Sequence, residues 1–451
     1  MFLKKINISL QLLFLVLVSC VVWPSPLLAG DPNVRIEMER STREEVKIAV
    51  TRFVLKKDSR DPLGLGQEAR KILENDLRLS ELFVKVPPAR YEGLERREQG
   101  QKGVNFRAWH QVGAQWLIKT EYNVLPGGKL SFVFRLYDAV NERFLLGKRY
   151  TVGKNLLRKV VHRFADELVL QLTGKRGVAE TQIVFLSNRN GNKEIFSVDF
   201  DGYNATQLTH DQTLNLTPSW SRDGKWIIYT SYGANNPDLV MIDAVGNKPK
   251  RTLLRLSGLN SAAAWSPVDN RLALVLSRDE NSEIYILENN RKLKRLTRHF
   301  NIDTSPSWSP DGKKIVFTSD RSGTGAPQIY IMDANKGDKG GVKRISFGSS
   351  YNDNAVWSPD GDKIAYTARV GRKFQIKVYD LKTKKSTLLT KALGGNEQPS
   401  WSPDGRFITY RHNEGSETHI YIQRLGGDEV RQLSFSSGGG SSPNWSPHII
   451  K

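Results

Sequence analysis

The stretch Trp308-Ser309-Pro310-Asp311-Gly312-Lys313-Lys314-Ile315-Val316-Phe317-Thr318-Ser319 reads as a tight turn feeding a strand. Proline presets φ, aspartate can bond its own backbone, glycine tolerates the exit geometry, and apolar alternation follows at once. The motif returns at Trp357 to Gly361 and Trp401 to Gly405, and its first two residues also at Trp220-Ser221, Trp265-Ser266 and Trp445-Ser446, every 43 to 49 residues. After each turn comes an alternating run, a polar loop, a second run such as Gln328-Ile329-Tyr330-Ile331-Met332-Asp333, and a short third such as Val342 to Ser346. Counting the stretch through the tryptophan gives four strands per unit. Six such units predict a closed six-bladed β-propeller with the tryptophans filling the space between blades.

The ends of the array carry a second signal. The last unit stops at Trp445-Ser446-Pro447, whereas Ile183 to Asn188 and Glu194 to Asp199 stand unclaimed before the first tryptophan. Pairing the last strand with the early ones completes a sixth blade from both ends of residues 180–451 and leaves no open edge.

Residues 31–176 lack this period and predict a separate α/β domain. Val46 to Val50 with Arg52 to Val54 reads as a strand, Gly66 to Leu79 as an amphipathic helix, and Leu82 to Val86 as another strand. Gln115 to Tyr122 and Leu130 to Tyr137 flank Pro126-Gly127-Gly128 as a hairpin, and a last helix with Leu156, Leu157, Val160, Val161, Phe164, Leu168 and Leu172 on one side ends at Gly174. The fold class expected is an α/β N-terminal domain followed by an all-β propeller.

Residues 1–30 place Lys4 and Lys5 before an apolar run from Ile6 to Val22, then Pro24, Pro26 and Ala29-Gly30, the order of a cleaved export signal. Leu17-Val18-Ser19-Cys20 is also similar to a lipobox, so cleavage near Ala29 and lipidation at Cys20 both stand open. Beyond Cys20 there is no cysteine, which excludes disulfides, thiolate metal sites and cysteine nucleophiles. The net charge of +20 is spread along the chain with no Lys/Arg block interleaved with aromatics, so no nucleic-acid partner is expected.

Catalytic constellations fare poorly. No two of His110, His162, His210, His299, His412, His419 and His448 form a zinc-protease pattern, there is no Gly-x-Ser-x-Gly elbow, and Gly438 to Gly440 lacks the lysine of a phosphate loop. Asp311, Asp360 and Asp404 recur because turns use them. A non-enzymatic protein without cofactor or metal is expected. The alternative is a secreted propeller enzyme, such as a polysaccharide lyase with a metal in its channel.

Outside the blades, Asn33-Val34-Arg35-Ile36-Glu37, Ile48 to Phe53, Asn75-Asp76-Leu77-Arg78, Leu156-Leu157-Arg158, Ala165-Asp166-Glu167 and Leu172-Thr173-Gly174 complete a pattern in which the chain resembles the TolB family. These are periplasmic propeller proteins of the Tol-Pal system of Gram-negative envelopes. The resemblance implies an adaptor in the periplasm that supports outer-membrane integrity and envelope constriction during division. It implies that the first mature residues, here Asp31, Asn33, Val34, Arg35, Ile36 and Glu37, bind the inner-membrane protein TolA. It also implies that one propeller mouth, with Leu259, Asn260, Thr304, Asn354 and Glu397, receives the lipoprotein Pal. Association with the outer membrane would then be peripheral and through Pal, with other outer-membrane proteins as further partners.

Overall fold

The computed structural model describes residues 45–448 apart from 58, 100–102, 246–247, 290, 324, 392–393, 428 and 435–437. Its first part is a sheet of β1 (Val46–Val50), β2 (Val54–Leu55), β3 (Phe83–Lys85), β4 (Trp116–Leu125), β5 (Lys129–Asp138) and β6 (Arg143–Gly153), in the order β3-β1-β4-β5-β6 with β2 on β4. β1 runs parallel to both neighbours and is buried on both faces. Ile48 and Val50 pack against α1 (Leu65–Leu79) and the last helix, whereas Ala49 between them packs against Leu94 and Trp109 of α2 (Glu92–Glu98) and α3 (Phe106–Gln111). That is the period-two division of one strand between two cores. The last helix, α4 (Leu157–Thr173), stops where Gly174 takes φ 75° and returns its N–H to the Leu170 carbonyl. The run read as one strand through Val54 is broken at 51–53, and α2, α3 and β6 were not foreseen.

Six four-stranded antiparallel sheets follow. We number the blades 1 to 6 and their strands A to D from the axis outward. Strand A is Asn215–Trp220, Asn260–Trp265, Asp303–Trp308, Asn352–Trp357, Gly395–Trp401 and Ser441–Trp445 in turn. Each strand A touches the next, and that of blade 6 touches that of blade 1. Blade 6 takes strand A from the chain's end and strands B (Gln182–Ser187), C (Glu194–Asp199) and D (Thr206–Gln207) from before blade 1, with Trp445 opposite Ile183 and Ser441 opposite Leu186.

The turn after each tryptophan works by the expected means. In blades 1, 3 and 5 the serine hydroxyl (Ser221, Ser309, Ser402) donates to the aspartate two residues on, at 2.6 Å, and accepts the N–H that opens strand B, at 2.9 Å. Gly224, Gly312, Gly361 and Gly405 take φ of 67 to 77°, the left-handed region that favours glycine. Trp220, Trp308, Trp401 and Trp445 are buried, while Trp265 and Trp357 are half-buried against their blade cores. Trp308 and Trp401 each donate their indole N–H to strand A of the preceding blade, at Ala264 and Val356, and Trp445 donates to Thr181 at 2.8 Å.

Three residues before each tryptophan that ends a strand A the backbone enters the left-handed region at a non-glycine residue: Thr217, Ala262, Ser305, Asn354, Gln398 and Ser442. Each marks a bulge in the A–B pairing. A bulge lets a strand bend sharply, and here it recurs once per blade around the axis.

A polar staple joins successive blades at the end where strand A begins. A hydroxyl after strand D accepts an N–H of strand C in five blades: Thr209 from Ile195, Thr297 from Ile284, Ser346 from Ile329, Thr390 from Ile376 and Ser434 from Ile420, at 2.8 to 2.9 Å. Five residues before the tryptophan, Asn352 and Asn396 of the following blade reach back to Gln328 and Gln375 at 2.8 Å, and Asn215 reaches Glu194 at 3.0 Å.

The α/β domain packs on the opposite end, where strand A finishes. Arg406 and Arg424 of blade 5 donate to the carbonyls of Ser80 and Glu81, and Leu79 joins the apolar cluster of Phe200, Phe407 and Trp445. His162 of α4 bonds Asp76 of α1 through Nδ1 at 2.7 Å, with Nε2 3.8 Å from Asp201 on the C–D turn of blade 6, which also pairs with Arg158. Burial opposes charge on His162 and Arg158 adds to that, but the bond to Asp76 and the carboxylates of Asp76 and Asp201 outweigh both and raise its pKa.

Two outcomes follow from these contacts. Trp445→Ala removes a buried indole and its hydrogen bond from the closing blade, so it should cost about 3 to 5 kcal/mol; thermal unfolding indistinguishable from the parent would contradict closure by this strand. A raised folded pKa makes the His162 contribution complete below the unfolded value of about 6.5 and lost as pH rises through the folded one. The gap in Tm between the parent and His162→Gln should therefore be widest near pH 6 and shrink toward pH 9, whereas a gap independent of pH would show that the imidazolium contributes nothing.

Candidate docking face

With the α/β domain packed against blades 4 to 6 at one end of the ring, the loops from D to A and from B to C crowd the other. Polar loops are the ordinary choice where chain meets water. Here six large apolar side chains stand out from them: Leu214, Tyr232, Phe300, Ile302, Phe347 and Val370. Phe300 is 86% exposed and Phe347 68%, which no packing among the described residues requires. Phe300 stacks on His299 at 4.4 Å and Phe347 lies under the Arg344 guanidinium at 5.0 Å, so both rings are held in place while facing solvent. Between blades 4 and 5 an open cleft of about 410 Å³ is lined by Arg372, Lys373, Phe374, Glu397, Asn413 and Glu414. Asn413 donates to Glu397 at 2.7 Å, fixing one carboxylate oxygen beside the two cations.

The residues expected at the mouth do fall at this end, spread over blades 2 to 5 but in different registers. Glu397 lines the cleft. Leu259 is half-buried just before strand A of blade 2, with its N–H on the Ser277 hydroxyl. Thr304 is half-buried opposite Thr318, and Asn354 sits at the bulge of blade 4 with φ 53°. Asn260 is fully buried and donates its amide to the carbonyls of Pro237, Leu256 and Gly258, so it shapes the loop instead of facing a partner. Asp31, Asn33, Val34, Arg35, Ile36 and Glu37 lie outside the described residues, as does the export signal. The exposed rim aromatics were missed, although an isolated apolar residue in a polar loop, as in Arg298-His299-Phe300-Asn301, is a readable sign.

Among the described residues, Asp76, His162 and Asp201 lie close enough to ligate one ion. The imidazole joins the two carboxylates from opposite sides of its ring, and Arg158 already neutralises Asp201, so the group is better suited to holding a proton than a cation. Among the described residues no helix is long and apolar enough to cross a membrane.

A family model described as the TolB amino-terminal domain matches residues 34–145, and one described as the TolB beta propeller domain matches residues 169–449, well over half of the chain. The chain belongs to the TolB family. Within that family it is 36% identical over 290 residues to the Tol-Pal system protein TolB of Desulfosudis oleivorans, covering 64% of this chain and 65% of that one. It is 32% identical over 271 residues to a TolB homolog of Chlorobium luteolum, covering 60% and 61%. These alignments therefore span less than two thirds of either relative. The crystal structure of TolB from Acinetobacter baumannii superposes with a TM-score of 0.74 at 26% identity, over 89% of this chain and 97% of that one, so the two-part architecture is shared.

Proposed function

We propose that this chain is a non-enzymatic periplasmic adaptor of the Tol-Pal system, with Pal docking on the free propeller face and residues 31–40 engaging TolA. The adaptor would support outer-membrane integrity and constriction of the envelope during division. The observation that carries the proposal is the rim of exposed apolar side chains opposite the α/β domain. Large aromatic side chains left exposed on one face of a rigid ring are ready anchors for another molecule, and aromatic anchors dominate the energy of such contacts. The ring beneath is closed and stapled, so the loops are preorganised and little ordering cost opposes binding. Leu259, Thr304, Asn354 and Glu397 would flank the anchors, with Asn260 holding one loop in shape.

Capture of purified Pal by the full-length chain checks this. Phe300→Ser with Phe347→Ser should weaken capture by about tenfold or more without changing the melting temperature, because neither ring is buried; undiminished capture would refute the docking face. Deleting residues 31–40 should abolish TolA binding and spare Pal, and retention of TolA by the deleted protein would refute that half of the proposal.

A further inference from the structure

Two arginines occupy the same place in two blades, and among the described residues only one of them has carboxylate partners. Arg321 follows strand B of blade 3 (Lys314–Ser319). Its guanidinium lies 5.2 Å from the Phe317 ring and 5.7 Å from Tyr330, and its Nε donates to Ser319 Oγ at 3.0 Å. Its two terminal amines are both engaged, one on Asp303 Oδ2 at 2.6 Å and the other on Asp338 Oδ1 at 3.0 Å. Arg189 follows strand B of blade 6 at the equivalent position. It repeats the cradle: the guanidinium lies 4.3 Å from Phe196 and 5.9 Å from Phe185, and Nε donates to Ser187 Oγ at 3.2 Å.

The acids are what differ. Asp303 stands five residues before Trp308, and the residue five before Trp445 is Gly440, which has no side chain. The D-to-A loop that precedes it, Ser434 to Gly440, contains no acid in its sequence. Among the described residues no carboxylate pairs with Arg189, and burial alone pulls its pKa down. A guanidinium is a planar fork that matches a carboxylate with two parallel hydrogen bonds, and here the Nε bond to Ser187 and the contact with Phe196 hold the fork in place. Arg189 lies on the B-to-C loop, at the end of the ring that the α/β domain leaves open.

We propose that Arg189 is a carboxylate seat on the rim of the free face, taking an aspartate or glutamate side chain from the docked protein in the place that Asp303 fills for Arg321. This rests on the docking reading above and names one polar contact within it. The rim aromatics supply apolar anchorage, and Arg189 sets the rotational register of the partner on a ring of nearly equivalent blades.

The test is calorimetric titration of the full-length chain with purified Pal. Arg189→Gln should weaken binding by about tenfold, and Arg189→Lys, which keeps the charge but loses the fork, should fall between. The parent's affinity should drop between 50 mM and 500 mM NaCl more steeply than that of Arg189→Gln. A scan of Pal with Asp→Asn and Glu→Gln should find one acid whose loss adds nothing once Arg189 is Gln, a non-additivity that a purely structural arginine would not produce. If Arg189→Gln binds as the parent does while Phe300→Ser weakens binding, the seat is overturned and the docking face stands. Additive effects for every acid on Pal would also overturn the seat. If neither Arg189→Gln nor the Phe300 and Phe347 variants weaken binding, both proposals fall.

Discussion

The pairing of Ser441–Trp445 with Gln182–Ser187 is the constraint on which the rest depends. An open propeller would present unpaired strand edges at two blades, a template for pairing with other chains. Bringing the two edges into one sheet removes them, and the cost is the closure of a loop of more than 250 residues. That entropic cost grows only with the logarithm of loop length, and a ladder of backbone bonds with a buried tryptophan sets against it. The Trp445 indole bonded to Thr181 and the Trp445 N–H bonded to Ser400 tie the closing strand to its own blade and to its neighbour.

A closed ring of antiparallel blades has two unlike ends, and the sequence treats them differently. The end of the Trp-Ser turns is capped by the α/β domain, with Arg406 and Arg424 reaching backbone carbonyls and a buried imidazole between two carboxylates at the seam. At the other end, hydroxyls and amides staple blade to blade, so the loops above them stand on a fixed base. Among the described residues nothing covers the apolar side chains exposed there, which gives that face the character of an interface. The repetition of the blades makes departures from it informative: Gly440 leaves bare a position that holds Asn in four blades and Asp303 in blade 3.

Much of this was legible in the residues. The tryptophan period set the number of blades, and the strand fragments left at both ends announced the closure. What escaped were elements without a long apolar stripe. α2 is Glu-Gly-Leu-Glu-Arg-Arg-Glu, whose charges read as a solvated loop, yet Glu98 is buried between Lys119 and the indole of Trp109. α3 has only six residues, and its one clear mark is Asn105, whose side chain caps it. The site was harder to read because the bulge in strand A breaks period-two alternation, so residues one position apart have different fates. Thr304 and Glu397 are half-exposed one step beyond the fully buried register of Asn260, Asn352 and Asn396.

Hydrogen exchange of the full-length chain, measured with and without purified Pal, tests the division between the two ends most directly. Protection should rise in the loops around residues 212–214, 298–302 and 346–348 and stay unchanged in the Trp-Ser turns and in α1 and α4. Protection confined to the turns or to the α/β domain, with those loops unaffected, would place the interface on the wrong side of the ring and contradict the docking face.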